Sequence, residues 1–346
     1  MGLGQLFERM IGRPIRSVTP AVTEPSLADP GLPDPSTSTT TEEHGGISFT
    51  VKFMIADRPA LAGLILVAGF LIWAVIEGVL QQIASFKGQP MTRPNYGTML
   101  LPSNPVALNF NEKLLPPSLK DFPNLLFGTN YQGQSIFSRI LYATPHDAIA
   151  AIAVVGSAII IGMLLGTTAG YFGGWTDEIL MRVTDAFLSL PALVLAITVS
   201  VLLGAGFYAV LLALIVVWWP TYARVFRGQA LTIRTKAYVE ASKMSGAGPF
   251  RILIKHVFPN SVDPIIAIAT LDLGTVILTY AVLAFLGIGL SFNYPEWGAE
   301  ASSGLNYFPG AWWWAVVPGL VILVVVIAFT LVGDRVQDLV GGRITY

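Results

Sequence analysis

Long apolar runs separated by short polar segments dominate the pattern of this 346-residue chain. A helix needs about 20 mostly apolar residues to cross roughly 30 Å of hydrocarbon, because each residue adds about 1.5 Å. By this measure the pattern predicts an all-α membrane protein with six transmembrane helices. The predicted spans are residues 60–83, 148–172, 183–203, 206–223, 264–290 and 312–332.

The third and fourth spans are predicted to form a hairpin. No charged residue interrupts the stretch from Ala186 to Ala223, which is too long for one crossing. Gly204 and Gly206 lie near its middle, and glycine is the residue that tight turns accept most readily. A minimal turn is therefore expected between the two spans.

Composition supports the membrane assignment and excludes several kinds of site. Hydrophobic residues make up 53% of the chain and charged residues 12%, about half of the charged fraction typical of soluble domains. The chain has no cysteine, which excludes disulfides and thiol chemistry, and its three histidines have no carboxylate cluster beside them in sequence. We therefore predict no metal and no cofactor in this chain. Its formal net charge is -1 and its basic residues cluster in one loop, so no nucleic-acid partner is expected.

The first 47 residues differ from the rest of the chain. Leu3, Phe7 and Ile11 recur at helical spacing with arginines nearby. Residues 1–17 are therefore predicted either as a short amphipathic helix on the membrane lipid or as a leader without function. Residues 18–47 are rich in Pro, Ser, Thr, Gly and acidic residues, and they have too few large apolar side chains to offset the entropy of ordering. That stretch is predicted to be a disordered cytoplasmic tether.

Basic residues decide the predicted orientation, because short loops rich in Lys and Arg stay on the cytoplasmic side of a membrane. The loop at residues 224–260 contains one acidic residue, Glu240, and seven basic ones: Arg224, Arg227, Arg234, Lys236, Lys243, Arg251 and Lys255. It is therefore predicted to be cytoplasmic. Six spans then place both termini in the cytoplasm and residues 84–147 outside the cell.

The same loop is predicted to fold into a compact knob of two short helices. Tyr238, Ala241 and Ser242 share one helical face, and residues 246–249, Gly-Ala-Gly-Pro, end that helix. Pro259 closes a second helix, whose apolar side is formed by Phe250, Ile252, Leu253 and Val257. A rigid knob can pass a push from a soluble motor into the membrane. The alternative is an ordinary basic loop that touches lipid headgroups.

Motifs in the second half of the chain resemble those of one transporter family. Glu240-Ala241-Ser242, followed by Gly246 and Pro259, resembles the EAA loop in permease subunits of ATP-binding-cassette (ABC) importers. Further matches are GYFGGW at 170–175, ARVFRG at 223–228, FLGIG at 285–289 and WG at 297–298. Nearly everything from Phe127 to Val340 resembles the C-type permease subunit of the oligopeptide and dipeptide importers.

The resemblance implies a type I ABC importer permease fold with cytoplasmic coupling helices, with its core at residues 148–346, in a bacterial or archaeal cell membrane. It implies a transport subunit for di- or oligopeptides and not an enzyme. The chain has no Gly-x-x-x-x-Gly-Lys-Ser/Thr string, so ATP and Mg would bind to two partner ATPase subunits. The other implied partners are a homologous B-type permease subunit and an extracytoplasmic substrate-binding protein. The residues expected to couple to the ATPase are Tyr238, Glu240, Ala241, Ser242, Gly246 and Pro259.

The sequence leaves alternatives open for the substrate and for the class of membrane protein. Permeases with the same family pattern carry oligosaccharides or other small solutes. Asn130, Gln134 and Ser135 replace charged residues that are common in the family, so contacts with a binding protein or substrate are expected to differ. Outside the family, a secondary transporter would need paired intramembrane carboxylates or broken helices in matching halves. A membrane anchor would need no polar path through its spans.

Two carboxylates are predicted at membrane depth, where burial is costly unless the group is paired or hydrated. Asp272, in the middle of the fifth span, is predicted to face the translocation pathway or another subunit, the alternative being a structural hydrogen bond. Glu77, near the outer end of the first span, is expected to reach water. Arg182 and Asp185, three residues apart, are expected to form a local ion pair.

Overall fold

The computed structural model describes residues 57–86, 100–204, 206–288 and 294–340. The interfacial helix predicted at 1–17 and the tether predicted at 18–47 lie outside the described residues. Within the described ranges the regular structure is helical, apart from one isolated bridge between Thr129 and Ser135.

The α-helices of the described ranges are numbered α1 to α11 in chain order. They are α1 (Arg58–Phe86), α2 (Ile136–Phe172), α3 (Gly174–Leu188), α4 (Ala192–Leu202), α5 (Phe207–Ile233), α6 (Ala237–Met244), α7 (Pro249–Ile252), α8 (Phe258–Asn260), α9 (Asp263–Phe285), α10 (Trp297–Leu305) and α11 (Trp312–Val340). A 3-10 turn lies at Phe110–Glu112, and a π-helical turn at Leu253–Val257 joins α7 to α8.

Five of the described helices, α1, α2, α5, α9 and α11, are long and apolar enough to cross a membrane. The pair formed by α3 and α4 adds a sixth crossing only if it is counted as one bent span, because its two helices meet at 90°. The predicted all-α membrane fold is thus confirmed, with five or six apolar spans.

The third predicted span, residues 183–203, is not one continuous helix. Its apolar part, α4, has 11 residues and measures about 16 Å, which is too short to cross roughly 30 Å of hydrocarbon. Pro191 explains the break, because proline lacks a backbone N–H and disfavours a helical conformation at the residue before it. α4 then turns back into α5 through Gly204 and Gly206, whose φ angles are 98° and 97°.

The second predicted span, residues 148–172, also differs from the structure, because α2 already begins at Ile136. The sequence prediction placed residues 136–147 outside the membrane, because the uninterrupted apolar run begins only at Ala148. In the structure two of these side chains, Arg139 and Asp147, are buried inside the protein. A membrane helix tolerates such residues where they face protein and not lipid. The helix thus begins 12 residues before the span that the sequence predicted.

Pro145 lies inside α2 and frees a backbone carbonyl group there. Because proline has no N–H, the carbonyl of Leu141, four residues earlier, loses its helical partner. It accepts a hydrogen bond from Trp73 Nε1 of α1 at 2.9 Å instead. Two neighbouring carbonyl groups also accept side-chain N–H groups at 2.9 Å: that of Tyr142 from Gln81 Nε2, and that of Ile140 from Trp297 Nε1. Side chains of α1 and α10 are thus anchored on the proline turn of α2.

Helices α2 and α5 form the most extensive helix pair among the described residues. Three glycines spaced four residues apart on α2 face α5: Gly162, Gly166 and Gly170. A Cβ atom at Gly166 would collide with the carbonyl oxygen of Ala223, so only glycine allows this approach. Small residues at such spacing are typical of closely packed membrane helices.

The other long helices complete one bundle. α11 lies against α1, α9 and α10, and α9 also contacts α2. Their buried side chains share one apolar core, in which the rings of Phe70 and Phe329 lie 5.9 Å apart. A second, smaller apolar cluster lies near the ends of α2 and α5, at the start of the loop that the sequence singled out.

Candidate functional site

Residues 237–260 form a knob, which consists of α6, α7, the π-helical turn and α8. Its interior is an apolar cluster that also includes Ala230 and Ile233, in the last turn of α5. The knob contributes four buried side chains to that cluster: Val239, Ile252, Leu253 and Val257. Tyr171, near the end of α2, packs against the same cluster. The knob is therefore joined by a packed core to the closest helix pair of the bundle.

Gly246 makes the corner between the two halves of the knob. The N–H of Gly246 donates to the carbonyl of Lys243 at 3.0 Å, and the N–H of Ala247 donates to the carbonyl of Ser242 at 3.1 Å. This pair of bonds is the Schellman arrangement that ends a helix. It requires the left-handed conformation at Gly246, whose φ is 80°. A residue with a Cβ atom would be strained at this position.

Polar and aromatic contacts join α6 to the second half of the knob. Ser242 Oγ lies 3.4 Å from His256 Nε2, and the rings of Tyr238 and His256 are 5.9 Å apart. Asn260 Nδ2 donates to the carbonyl of His256 at 2.6 Å. The Lys243 ammonium group lies 5.7 Å from the centre of the Tyr171 ring of α2. The contacts of His256 with Ser242 and Tyr238 join the two halves of the knob, and the Lys243 contact ties the knob to α2.

The outer surface of the knob carries large apolar side chains. Met244 is 89% exposed, Phe250 70% and Ile254 63%, and Tyr238 is also exposed. Phe250 was predicted to lie on the buried side of the second helix, but it points outward. Of the predicted coupling residues, Ser242 is half-buried and the others are exposed: Tyr238, Glu240, Ala241, Gly246 and Pro259. An exposed apolar cluster beside basic residues is typical of a protein-protein interface.

Two arginines of the predicted basic loop, Arg224 and Arg227, lie in α5 and pair with carboxylates of α3. Arg227 makes two hydrogen bonds to the carboxylate of Asp177, each of 2.6 Å. Arg224 donates to Asp185 at 2.7 Å. The local pair expected between Arg182 and Asp185 is therefore replaced by a contact across two helices. Because these arginines are engaged within the protein, a loop that serves only to touch lipid headgroups accounts less well for the pattern.

The two carboxylates predicted at membrane depth lie apart from the knob. Asp272 of α9 is half-buried and interacts with the side chains of Tyr222 and Trp218 of α5. Glu77 of α1, which was expected to reach water, is fully buried, and its Oε1 accepts from Gln81 Nε2 at 3.2 Å. The structure thus places Asp272 between two spans and does not bring it together with the coupling residues.

A buried polar network, here called the outer network, lies at the other end of α2. It consists of Asn130, Gln134, Arg139, Glu300 and Trp314. Arg139 forms an ion pair of 2.5 Å with Glu300, whose second oxygen accepts from Trp314 Nε1 at 2.8 Å. Gln134 Oε1 accepts from Asn130 Nδ2 at 2.8 Å and from Arg139 Nη1 at 2.7 Å. The network joins α2, α10, α11 and the segment before α2.

The three residues that depart from the family pattern, Asn130, Gln134 and Ser135, lie in or beside the outer network. Asn130 and Gln134 were expected to change contacts with a binding protein or substrate, but both side chains are buried within the network. Ser135, also buried, accepts from the N–H of Ser138 at 3.4 Å and so caps α2. The immediate role of these residues is to hold the segment before α2 on the bundle.

Metal ligands are sparse in the described part of the chain. Within it, no three His, Cys, Asp or Glu side chains are grouped so that they could hold a metal ion. Two carboxylates, Asp147 of α2 and Glu296 just before α10, are nevertheless buried inside the bundle. Sequence reasoning missed both, although a charged residue in an otherwise apolar stretch was a usable signal.

Comparison with known proteins identifies relatives of this chain. Residues 158–346 match the family described as binding-protein-dependent transport system inner membrane component. A probable D,D-dipeptide transport system permease protein of Escherichia coli is 38% identical over 248 residues, which are 72% of this chain and 82% of that protein. A dipeptide transport system permease protein of Alkalihalophilus pseudofirmus is 30% identical over 309 residues, which are 88% of this chain and 94% of that protein.

Two further similarities extend this set. A glutathione transport system permease protein of Pectobacterium atrosepticum is 38% identical over 214 residues, 61% of this chain and 70% of that protein. Among solved structures, an inward-facing form of the MetNI methionine ABC transporter is similar with a TM-score of 0.48 and 19% identity. That similarity covers 58% of this chain and 96% of the other.

Proposed function

Because the chain belongs to the family of binding-protein-dependent transport system inner membrane components, we propose that it forms half of the translocation pathway of an ATP-driven importer of di- or oligopeptides. A homologous B-type permease subunit forms the other half. A substrate-binding protein delivers the peptide from outside, and two ATPase subunits bind ATP and Mg. The chain itself is a transport subunit without a nucleotide site.

The knob is the observation that carries this proposal. It presents exposed apolar side chains outward, while its buried side chains share one cluster with the ends of α5 and α2. An ATPase that grips the outer face would therefore move the knob and these two helices as one body. Such movement can tip the bundle between inward-open and outward-open states. Glu240 lies in the first turn of α6, where its negative charge favours the helix N-terminus.

Orientation follows from the same proposal. The knob and both termini lie in the cytoplasm, because the basic loop belongs on that side. The outer network then faces the binding protein's side of the membrane, at the far end of α2.

Peptides are the proposed substrate because the relatives at 30% to 38% identity include permeases named for dipeptides and glutathione. The alternative of an oligosaccharide or another small solute was motivated by the altered residues Asn130, Gln134 and Ser135 and by the elongated segment before them. Because those side chains are buried, they do not present a surface that a substrate or binding protein could contact. They therefore do not support the sugar alternative. Uptake of a labelled dipeptide, compared with a labelled trisaccharide, by cells with and without the transporter distinguishes these substrates.

The coupling role is tested by co-purification from the native host. The tagged chain is purified in mild detergent as wild type and as Met244→Asp, a change on an 89% exposed side chain that leaves the apolar cluster untouched. We expect ATPase subunits and a second permease with the wild type, and loss of the ATPases alone with the variant.

The matched control is Leu119→Asp, which places the same charge on a 77% exposed apolar side chain in the outer segment. It should retain the ATPases. If the Met244 variant also keeps them, the knob is not the docking surface. If the wild type is well folded and arrives without partners, a secondary transporter or a membrane anchor must replace the importer.

A further inference from the structure

Helix α3 lies at the surface of this chain and is fastened to α5 by two ion pairs. All 15 residues of α3 are described, and among them only Thr184 is buried. The extensive helix contacts of α3 are with α2 and α5. Arg227 of α5 donates two hydrogen bonds of 2.6 Å to the carboxylate of Asp177, and Arg224 donates one of 2.7 Å to Asp185. The two pairs thus hold both halves of α3 on one short stretch of α5.

The two ends of α3 have further attachments of different kinds. Its first residue follows Gly173 at the end of α2, and Gly173 and Gly174 have φ angles of 68° and 55°. Because glycine adopts many backbone conformations, this joint does not by itself fix the direction of α3. At the other end, the rings of Phe187 and Trp219 of α5 lie 5.4 Å apart. The Asp177 pair restricts the direction of α3 more closely, because two parallel hydrogen bonds fix both the distance and the angle between the groups.

The stretch of α5 that holds α3 also supports the knob. Ala230 and Ile233 belong to the buried cluster of the knob, about one and two turns after Arg227. Arg234, directly after α5, donates to the carbonyl of Gly170 of α2 at 3.0 Å. The end of α5, the end of α2 and the knob therefore form one packed unit, and the arginines that pair with α3 project from that unit.

On its other side α3 leads into the bend of the broken helix pair. α3 and α4 meet at 90° across residues 189–191, and α4 packs against α5. A change in the direction of α3 would therefore displace Leu190 at the bend and α4 beyond it. Ion pairs between exposed groups add little to stability, and the side chains of Arg224 and Asp185 are both more than half exposed. Setting the direction of α3 therefore accounts for this pair better than stabilising the fold does.

We propose that the ion pairs Arg227–Asp177 and Arg224–Asp185 transmit movement of the knob to the bent pair α3–α4 during transport. The four side chains are positioning residues, since they act through α3. This inference rests on the proposed function, because it takes the knob as the part that the ATPases move. When the knob turns with the end of α5, the ion pairs draw α3 along and displace the bend. Without the ion pairs, the knob would still move, but α3 would follow it less closely.

Spin labels on the complete transporter measure whether the bend follows the knob. Because this chain has no cysteine, labels attach to it only at introduced positions. The pair Met244→Cys and Leu119→Cys reports the knob, and the pair Leu190→Cys and Leu119→Cys reports the bend; all three side chains are exposed. Distances are measured by electron paramagnetic resonance before and after AMP-PNP and Mg²⁺ are added to transporter purified from the native host with its partners. The same complex without introduced cysteines gives the background signal.

Without further substitution, we expect the nucleotide to shift both distances. With Asp177→Asn and Asp185→Asn combined, the knob distance should still shift, and the bend distance should lose most of its shift. Unfolding temperature and ATPase retention should stay unchanged, whereas ion pairs that served the fold alone would lower the unfolding temperature when removed. Asp177→Glu keeps the carboxylate and should keep the shift at the bend. Glu178→Gln, on an exposed carboxylate of α3 whose ion-pair partner Arg182 lies in the same helix, is the matched control and should respond like the unsubstituted chain.

A bend distance that shifts fully in the double variant overturns the proposal and assigns the link to the contact between Phe187 and Trp219. If the double variant does not assemble, Asp177→Asn alone, which removes the charge from the bidentate pair, decides between the same two results. A shift at the knob without one at the bend in the unsubstituted chain overturns the link and leaves the proposed function standing. If the knob distance stays unchanged while the ATPases are bound, the proposed function fails and the link fails with it.

Discussion

The knob and the outer network lie near opposite ends of α2 and are built on opposite principles. In the knob, apolar side chains such as Met244 and Phe250 point outward, and the interior is a small apolar cluster. In the outer network, charged and amide side chains point inward and satisfy one another, as Arg139 and Glu300 do. The outer network completes itself within the chain, whereas the knob has a surface that only a partner can cover. Changes in the first should cost stability, and changes on the second should cost association.

The largest effect is expected where the outer network is broken. Arg139→Met leaves Glu300 buried without its cation, and removal of one partner from a buried ion pair typically costs about 3–5 kcal/mol. The unfolding temperature of the purified chain should fall steeply. Arg182→Met, on an exposed arginine of α3, should leave it nearly unchanged. Equal stability of the two variants would show that the outer network does not hold the fold.

A smaller effect is expected at the corner of the knob. Gly246→Ala forces a side chain into a left-handed conformation at a cost of about 1–2 kcal/mol. The neighbouring Gly248→Ala is the matched control, because Gly248 has a φ of -67° and open space around its Cβ position. In a detergent pull-down, Gly246→Ala should retain less ATPase than Gly248→Ala does. Equal retention would remove the corner from the coupling mechanism.

Asp272 belongs to neither the knob nor the outer network, because it lies inside the bundle beside Tyr222 and Trp218 of α5. Asp272→Asn keeps the shape of the side chain and removes its charge next to Tyr222. If Asp272 faces the translocation pathway, peptide uptake should fall roughly tenfold, about 1.4 kcal/mol, while partners still co-purify. Normal uptake with a changed unfolding temperature would assign Asp272 a structural hydrogen bond instead. Glu178→Gln should change neither measurement.

The smallest effect is expected from Ser242→Ala. Its hydroxyl lies 3.4 Å from His256, a long contact that contributes about 0.5 kcal/mol at most. ATPase retention and unfolding temperature should both stay close to wild type. A large loss of ATPase retention would show that Ser242 contacts the partner directly and is not only a spacer within the knob.

The sequence predicted the membrane fold and the family, and it missed features that depend on contacts between distant residues. Apolar runs are local, so six spans were predicted from the pattern, and five of them correspond to long helices. The start of α2 was missed because the apolar run begins only at Ala148. Arg139 and Asp147 precede that run, and only the folded bundle shows that they are buried. Arg139 and Glu300 are 161 positions apart, so their pairing has no local signal. The break at Pro191 did have one, in the proline itself.

The coupling role of the knob is tested most directly by identifying which proteins contact its exposed face in native membranes. Because the chain has no cysteine, Met244→Cys and the control Leu119→Cys each provide one site for a photoreactive maleimide. After illumination of native membranes, mass spectrometry identifies the crosslinked proteins. We predict a crosslinked ATPase subunit at position 244 and none at position 119. Crosslinks from position 244 to lipid alone, or to no ATPase, in membranes that still take up peptide would contradict it.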